Sequence, residues 1–245
     1  MRNGISTALV AAAFAMLAGC EGGTGRTASY QYGGNASAGQ QAGMRYQFDA
    51  NRERVWWLTR DGVVVRNIRA MERTAVAIPG WTWVGEAWSC APDLALGPRG
   101  EALVTSNILP VVWKIDPDTM AVTEHALVLD ADTDKDFGFT GLTYSSEQDA
   151  YFAVSGTHGT LWKIDAQLTR GEKVALSGPI YNACRVAPSG RAPSQASGPA
   201  VGLCVGGAQR NWTVDVALAD RTGYVRGTAC TDLAWRIGQL AMTDQ

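Results

Sequence analysis

Charge and histidine are both scarce in this sequence. Only 18% of the 245 residues are charged, the formal net charge is -2, and there are two histidines, His125 and His158. A chain without a basic excess lacks the electrostatic footprint of a nucleic-acid-binding protein, so we expect no nucleic-acid partner. With two histidines in the whole chain, a histidine-based nucleophile system is not expected either.

The short signatures of common enzymes are missing as well. The chain contains no Gly-x-Ser-x-Gly elbow, no phosphate-binding loop and no Cys-x-x-Cys-His haem motif. Its cysteines show no Cys-x-x-Cys or Cys-His spacing that would hold a metal cluster. These absences favour a non-catalytic protein, although they leave a metal-dependent enzyme open.

Long hydrophobic runs are also missing. The uncharged stretch from Ile5 to Leu17 has 13 residues, whereas a membrane-spanning helix needs roughly 20. It follows a positively charged start at Arg2, and a short apolar run after a positive charge is typical of a secretory signal peptide. We therefore predict that residues 1–19 are a signal peptide.

The end of this stretch, Leu17-Ala18-Gly19-Cys20, resembles the lipobox of bacterial lipoproteins. The resemblance implies that Cys20 carries lipid, including palmitate, and becomes the first residue of the mature chain. Several acyl chains on one residue give stable membrane anchoring. The next residue is Glu21 rather than Asp, which resembles outer-membrane lipoproteins and implies a periplasm-facing outer-membrane location. Residues 20–43 are mostly small and polar, as in a flexible tether.

From residue 44 onward the chain repeats itself. The segment Trp113-Lys114-Ile115-Asp116 recurs 49 residues later as Trp162-Lys163-Ile164-Asp165, and a weaker copy begins at Trp212. A predicted hairpin precedes each copy, and a turn and a fourth strand follow it. Four short strands in about 45 residues are the size of one propeller blade.

We count four such units, followed by a fragment that resembles the start of the second unit. The units are 44–80, 91–130, 138–178 and 182–227, and the fragment is Asp232–Trp235. The sequence therefore predicts an all-β fold over residues 44–245. This fold is a β-propeller of about five four-stranded blades, whose last blade is incomplete or is closed by N-terminal residues such as 27–32. The three recurring tryptophans are predicted to lie in the core between blades.

The units resemble those of the propeller superfamily that includes surface-layer, quinoprotein-like and gluconolactonase-like proteins. The motifs that carry this resemblance are generic, so it implies a fold and not an activity.

Four cysteines remain besides Cys20, namely Cys90, Cys184, Cys204 and Cys230. An even number in an oxidising compartment predicts two disulfides, for which three connectivities exist. We predict the pair Cys90–Cys230, because both residues precede equivalent first strands. We also predict the pair Cys184–Cys204, because these residues lie on the two strands of one hairpin.

Tryptophan is concentrated in the connection between the first and second units. Trp81, Trp83, Glu86 and Trp88 fall within eight residues, and such a cluster could stack on a sugar or pack on a partner chain. The alternative is that the rings plug the mouth of the central channel.

Alternating acidic residues, Asp130, Asp132, Asp134 and Asp136, form the second candidate site. They match the first three ligand positions of a calcium loop, but Lys135 stands where the loop needs glycine and Gly141 where it needs glutamate. A solvated acidic connection between blades is the alternative.

Polar residues begin the predicted first strands, and they form the third candidate site. They are Asp93, Thr140, Asn182 and Asp232. In gluconolactonase-like propellers, residues at this depth hold a metal that activates water, so Asp93 and Asp232 would be catalytic in such an enzyme. A glutamate expected in that family near the start is absent. The order of the predicted strands places His158 in a turn on the opposite face of the ring, so we do not expect it to take part in this chemistry.

Three functions remain open at this stage. The favoured one is a lipid-anchored, non-catalytic propeller that binds an envelope protein or a glycan, without a required cofactor. The alternatives are a calcium-dependent hydrolase of the gluconolactonase or lactonase type, and a structural envelope protein with no specific ligand.

Overall fold

A computed structural model describes most of the repeating region. The described residues are 45–84, 90–131, 137–189, 193–194, 198–207 and 210–227. Over these ranges the chain forms seventeen β-strands and no helix. Accordingly, no helix in the described part of the chain could cross a membrane.

Sixteen of the strands form four antiparallel meanders, and each meander is one blade. Blade 1 contains β1 (Arg45–Asp49), β2 (Arg54–Thr59), β3 (Gly62–Asn67) and β4 (Arg73–Val76), and blade 2 contains β5 (Leu94–Leu96), β6 (Ala102–Thr105), β7 (Val111–Ile115) and β8 (Val122–Ala126). Blade 3 contains β10 (Gly141–Ser145), β11 (Ala150–Ser155), β12 (Thr160–Asp165) and β13 (Arg170–Leu176), and blade 4 contains β14 (Ala183–Pro188), β15 (Ala200–Gly207), β16 (Asn211–Ala217) and β17 (Thr222–Arg226). The predicted propeller fold and its four repeat units are confirmed.

Apolar side chains on facing blade surfaces form three separate cores. One core lies between blades 1 and 2 and contains Trp113, a second lies between blades 2 and 3 and contains Trp162, and a third lies between blades 3 and 4 and contains Trp212. Each of these three rings is at most 3% exposed. The recurring tryptophan is therefore a packing residue, as the spacing predicts.

The aspartate of the repeat has a local structural role in blades 2 and 3. The Asp116 carboxylate accepts hydrogen bonds from the backbone N–H groups of Asp118 and Thr119, at 3.0 and 2.8 Å. Asp165 does the same for Thr169 and Arg170, at 2.8 and 2.7 Å. The hydrogen bonds to Asp116 lower the pKa of its carboxyl group, and the bond from the Thr119 backbone N–H has the largest effect. The motif therefore closes the turn between the third and fourth strands, which explains its recurrence without a catalytic role.

One short strand does not follow the repeat. The predicted fourth strand of blade 2, residues 123–129, divides into β8 and β9 (Val128–Leu129). Strand β9 leaves blade 2 and pairs in parallel with the start of β13 in blade 3. The end of β13 also pairs in parallel with β17 of blade 4. Blade 3 is therefore bonded along its outer edge to both neighbours.

The disulfide predicted between Cys90 and Cys230 is wrong, because Cys90 is bonded to Cys184 with their Cα atoms 5.2 Å apart. Cys90 precedes the inner strand of blade 2, and Cys184 lies near the start of the inner strand of blade 4. Because inner strands surround a narrow channel, their ends approach each other across it. Equivalent positions in the repeat gave no information about that approach.

The predicted pair Cys184–Cys204 is also wrong. In the register of β14 and β15, Cys204 lies opposite Ala187 rather than opposite Cys184. Three residues along a strand are about 10 Å, which is too far for a disulfide. Cys204 is nevertheless disulfide-bonded, so its partner lies outside the described residues. Cys230 lies outside them as well, together with the predicted fifth-blade fragment at 232–235 and residues 27–32.

Candidate functional site

The chain segments that connect successive blades all emerge on one face of the ring, which we call the connection face. In a four-stranded meander this face also carries the turn between the second and third strands. His158 lies in such a turn in blade 3, and its ring stacks on Phe137 of a connecting segment, with the ring centroids 4.7 Å apart. The assignment of His158 to the opposite face is therefore wrong, because the number of strand reversals places it here.

Buried charges lie where the inner strands begin, at the mouth of the central channel. Asp93 is 7% exposed, and its Oδ1 atom lies 3.5 Å from Nη1 of Arg45, which is also 7% exposed. The Oδ2 atom accepts a hydrogen bond from the backbone N–H of Leu142 at 2.9 Å. Asp93 thus connects blade 2 to blades 1 and 3, with both carboxylate oxygens engaged.

A second arginine of the channel mouth, Arg185, lies in the inner strand of blade 4. Burial, followed by the positive charge of Arg45, lowers the pKa of Arg185 to about 10, and Asp93 acts in the opposite direction. Arg45 also donates a hydrogen bond from Nη2 to the Cys184 carbonyl at 2.9 Å. The channel mouth therefore carries two guanidinium groups around the Asp93 carboxylate.

The other residues that begin first strands bond to protein groups or lie elsewhere. The Thr140 hydroxyl donates to the Ala183 carbonyl at 2.6 Å, so it joins blade 3 to blade 4. Asp232 lies outside the described residues. Across the part of the chain that the structure describes, no three acidic, cysteine or histidine side chains gather as a metal site. The catalytic role proposed for Asp93 and Asp232 stays a prediction.

Trp81 and Trp83, two residues of the predicted binding cluster, pack partly buried against the core of blades 1 and 2. Their rings meet edge to face with centroids 6.1 Å apart, and Trp81 donates from Nε1 to the Thr105 carbonyl at 3.1 Å. These contacts are those of packing residues. Glu86 and Trp88 lie outside the described residues, and the binding role of this segment stays a prediction.

The acidic run begins with a residue whose two carboxylate oxygens are both engaged. Asp130 accepts a hydrogen bond from the Lys173 backbone N–H at 2.8 Å and pairs with Nη1 of Arg221 at 2.6 Å. These bonds connect the segment before blade 3 to blades 3 and 4. Asp132, Asp134 and Asp136 lie outside the described residues, so the calcium site stays a prediction.

Among the described residues, two of the concave regions lie on this side. The larger is an open groove of about 570 Å³ along the outer part of blade 3, and its wall includes Asp130, His158 and Pro179. Most of its remaining lining is aliphatic or backbone. Its polar residues are His158, Thr160, Lys173 and Asp130, and Asp130 is already paired with Arg221.

The smaller concave region is a cleft of about 180 Å³ lined by Tyr181, Asn182, Arg210 and Trp212. We call it the Tyr181 cleft. The Tyr181 side chain is 54% exposed, which is unusual for an aromatic residue of a connecting segment, since Phe139 at the matching position of blade 3 is fully buried. The guanidinium carbon of Arg210 lies 5.0 Å from the centroid of the Trp212 ring, as in a cation–π contact.

The backbone around the cleft is shaped to present the tyrosine. Gly159 has φ of +64°, and a Cβ atom at this position would lie 2.8 Å from the Tyr181 ring. The Tyr181 ring therefore lies directly on the backbone of Gly159. A side chain on any other residue at position 159 would clash with the ring. Asn182 has φ of 61°, a left-handed conformation that asparagine adopts more readily than most residues. Tyr181 and Asn182 are thus held in a defined orientation at the surface.

Tyr181 and Arg210 were not among the candidates from the sequence. They are 29 residues apart, in a connecting segment and in a turn of blade 4. One signal was available for Tyr181: an aromatic residue precedes the polar start of the inner strand in both blade 3 and blade 4, as Phe139 and Tyr181. No sequence signal separates the buried ring of this pair from the exposed one.

Comparisons with known proteins identify the fold. No protein-family model matches the chain, and no curated protein matches it significantly. A streptogramin B lyase structure is similar with a TM-score of 0.54 and 13% identity, over 82% of this chain and 59% of that one. An auxiliary nutrient binding protein from Bacteroides thetaiotaomicron is similar with a TM-score of 0.51 and 10% identity, over 76% of this chain and 42% of that one.

The chain thus spans less than two thirds of the length of either solved structure. At such low identity these similarities define the class, a β-propeller, and they leave the activity of this chain undetermined.

Proposed function

We propose that this protein is a lipid-anchored β-propeller of the bacterial cell envelope that binds a glycan in the Tyr181 cleft. The observation that carries the proposal is the exposed Tyr181 ring, which lies on the Gly159 backbone beside the amide of Asn182. An aromatic ring of this kind offers an apolar face to the C–H face of a pyranose, while its hydroxyl and nearby polar groups reach the sugar hydroxyls.

The size of the cleft favours a glycan over a protein partner. The cleft has a volume of about 180 Å³ and four lining residues, whereas a stable protein interface needs roughly 800 Å² on each partner. The exposed large apolar side chains are dispersed: Leu109, Val128 and Tyr181 lie on the connection face, and Phe48, Ile68 and Met71 lie toward the opposite one. This distribution does not provide the contiguous patch that a protein partner would bury.

We expect Tyr181→Ala to remove saccharide binding. The change deletes the ring against which a sugar would stack, and a loss of at least tenfold in affinity, about 1.4 kcal/mol, is expected. The measurement is calorimetric titration of the purified full-length protein in detergent with a panel of neutral and acidic pyranose oligosaccharides.

Phe48→Ala is the matched control, because it deletes another exposed aromatic ring, 43% exposed, at the opposite end of an inner strand. Its binding should equal that of the natural protein. If no saccharide of the panel binds the natural protein, or if Tyr181→Ala binds as tightly, the proposed function is wrong.

The membrane anchor is the second part of the proposal and rests on the Leu17-Ala18-Gly19-Cys20 motif. We expect Cys20→Ser to abolish incorporation of a labelled palmitate analogue and to shift the protein from the membrane to the soluble fraction. Density separation of the two membranes then tests the expected outer-membrane location. Labelling that persists in Cys20→Ser would contradict the anchor.

A further inference from the structure

The Tyr181 cleft carries a guanidinium group that no described carboxylate neutralises. Arg210 is exposed, and its contact within the described residues is the Trp212 ring rather than an ion pair. A guanidinium that lies over an aromatic ring keeps its N–H donors available for a ligand. An arginine held in this way is suited to bind a planar anion through two parallel hydrogen bonds.

The composition of the cleft gives it a positive potential. Its described lining contains an arginine, an asparagine and two aromatic residues, and no acidic side chain. The amide of Asn182 adds donors and an acceptor but no charge. The Arg210 charge would not strengthen the binding of an uncharged ligand, whereas it would attract an anion.

Further arginines lie along the inner strand that begins at the cleft. Arg185 follows Asn182 by three residues along the inner strand of blade 4, a distance on the order of 10 Å. Arg45 donates a hydrogen bond to the Cys184 carbonyl of the same strand. Among the described residues, Asp93 is the carboxylate that lies against these two arginines. Partly buried charges are screened by salt less than exposed ones.

We propose that the ligand of the Tyr181 cleft is an acidic saccharide whose ring stacks on Tyr181 and whose carboxylate pairs with Arg210. This inference rests on the proposed function and narrows it from glycans in general to sugars that bear a carboxylate, such as uronic acids. The same chemistry occurs in a free sugar acid and in an acidic polysaccharide, and the two sources differ in chain length.

Matched pairs of ligands test this inference. The full-length protein is titrated with galacturonic acid, with its uncharged methyl ester, and with the trisaccharides of both. We expect the acid to bind at least tenfold more tightly than the ester, and this ratio to fall as salt is raised. Tighter binding of the trisaccharide identifies a polysaccharide as the source, and equal binding of acid and trisaccharide identifies the free sugar acid.

Arg210→Gln should lower the affinity for the acid at least tenfold and leave that for the ester within twofold. Arg210→Lys keeps the charge without the planar fork and should fall between the two. Arg60→Gln removes an exposed arginine from the matching turn of blade 1 and should behave as the natural protein. Thermal melts confirm that each variant is folded, since surface substitutions usually change stability little.

Two results separate the inference from the function on which it rests. Equal binding of acid and ester, with both lost in Tyr181→Ala, would overturn the acidic ligand and leave a glycan-binding cleft. Unchanged preference for the acid in Arg210→Gln would overturn the assignment of the carboxylate to Arg210. Absence of binding to every saccharide tested would overturn both proposals.

Discussion

Replacing Cys90 and Cys184 together by alanine should lower the free energy of unfolding by about 4–5 kcal/mol. Their disulfide closes a loop of 94 residues, and the chain-entropy model gives a stabilisation of this size for a loop of about 100 residues. The bond connects the inner ends of blades 2 and 4, so it restrains the unfolded chain across three blades. Urea unfolding of the full-length protein and of the double variant measures the difference by linear extrapolation.

The slope of the unfolding free energy against urea provides a second readout. An unfolded chain without the bond is more expanded, so we expect a steeper slope in the double variant. A non-reducing peptide map is the control for connectivity and should join Cys90 to Cys184, and Cys204 to Cys230. A variant that unfolds within 1 kcal/mol of the natural protein, or a map that joins Cys90 to Cys230, would contradict the predicted effect.

The blades could be predicted from the sequence because each one repeats the same local requirements. In blades 2, 3 and 4 a tryptophan in the third strand packs between blades, and in blades 2 and 3 Asp116 and Asp165 close the turn that follows. Both requirements act within one blade or between neighbours in sequence, so they leave a period that can be read directly. The described blade boundaries accordingly agree with the predicted units to within a few residues.

The disulfides could not be predicted because they depend on distances across the ring. Cys90 and Cys230 occupy equivalent positions in the repeat. This predicts that they lie at the same level along the central axis in different blades, but it does not predict the distance between them. Which inner ends approach most closely depends on the closure of the ring. The parallel pairing of β9 with β13 was missed for the same reason, since it arises between the edges of different blades.

The candidate cleft was hidden because its residues are ordinary one by one. Tyr181 precedes the polar start of an inner strand, as Phe139 does, and Arg210 is one arginine among many. Only the packed structure shows that Gly159 supports an exposed ring and that Arg210 lies over Trp212. By contrast, the tryptophan-rich segment 81–88 is conspicuous in the sequence, yet Trp81 and Trp83 pack against the core of blades 1 and 2.

The second large effect is expected at the channel mouth, where Asp93→Ala should cost about 3–5 kcal/mol of unfolding free energy. Removing one partner of a buried ion pair leaves the other charge without compensation. Here Arg45 would stay buried beside Arg185, and the Leu142 N–H would lose its acceptor. Asp93→Asn should cost less, because the amide oxygen still accepts from Leu142. Urea unfolding of the two variants measures both effects.

A double-mutant cycle with Arg45→Met separates the ion pair from the other contacts of Asp93. We expect the double variant to be more stable than the sum of the single losses predicts, because removing both charges avoids a buried unpaired one. Additive losses would show that the pair is not coupled, and Asp93 would then contribute through the Leu142 hydrogen bond alone.

The sign of the Asp93 effect also distinguishes a structural role from the catalytic one that the hydrolase alternative requires. Residues kept for activity are often held at a cost in stability, so replacing them tends to be neutral or stabilising. A residue that connects three blades through buried contacts should instead destabilise the fold when it is lost. The two engaged oxygens of Asp93 predict destabilisation, and a variant of unchanged or increased stability would favour the hydrolase and count against the proposed binding propeller.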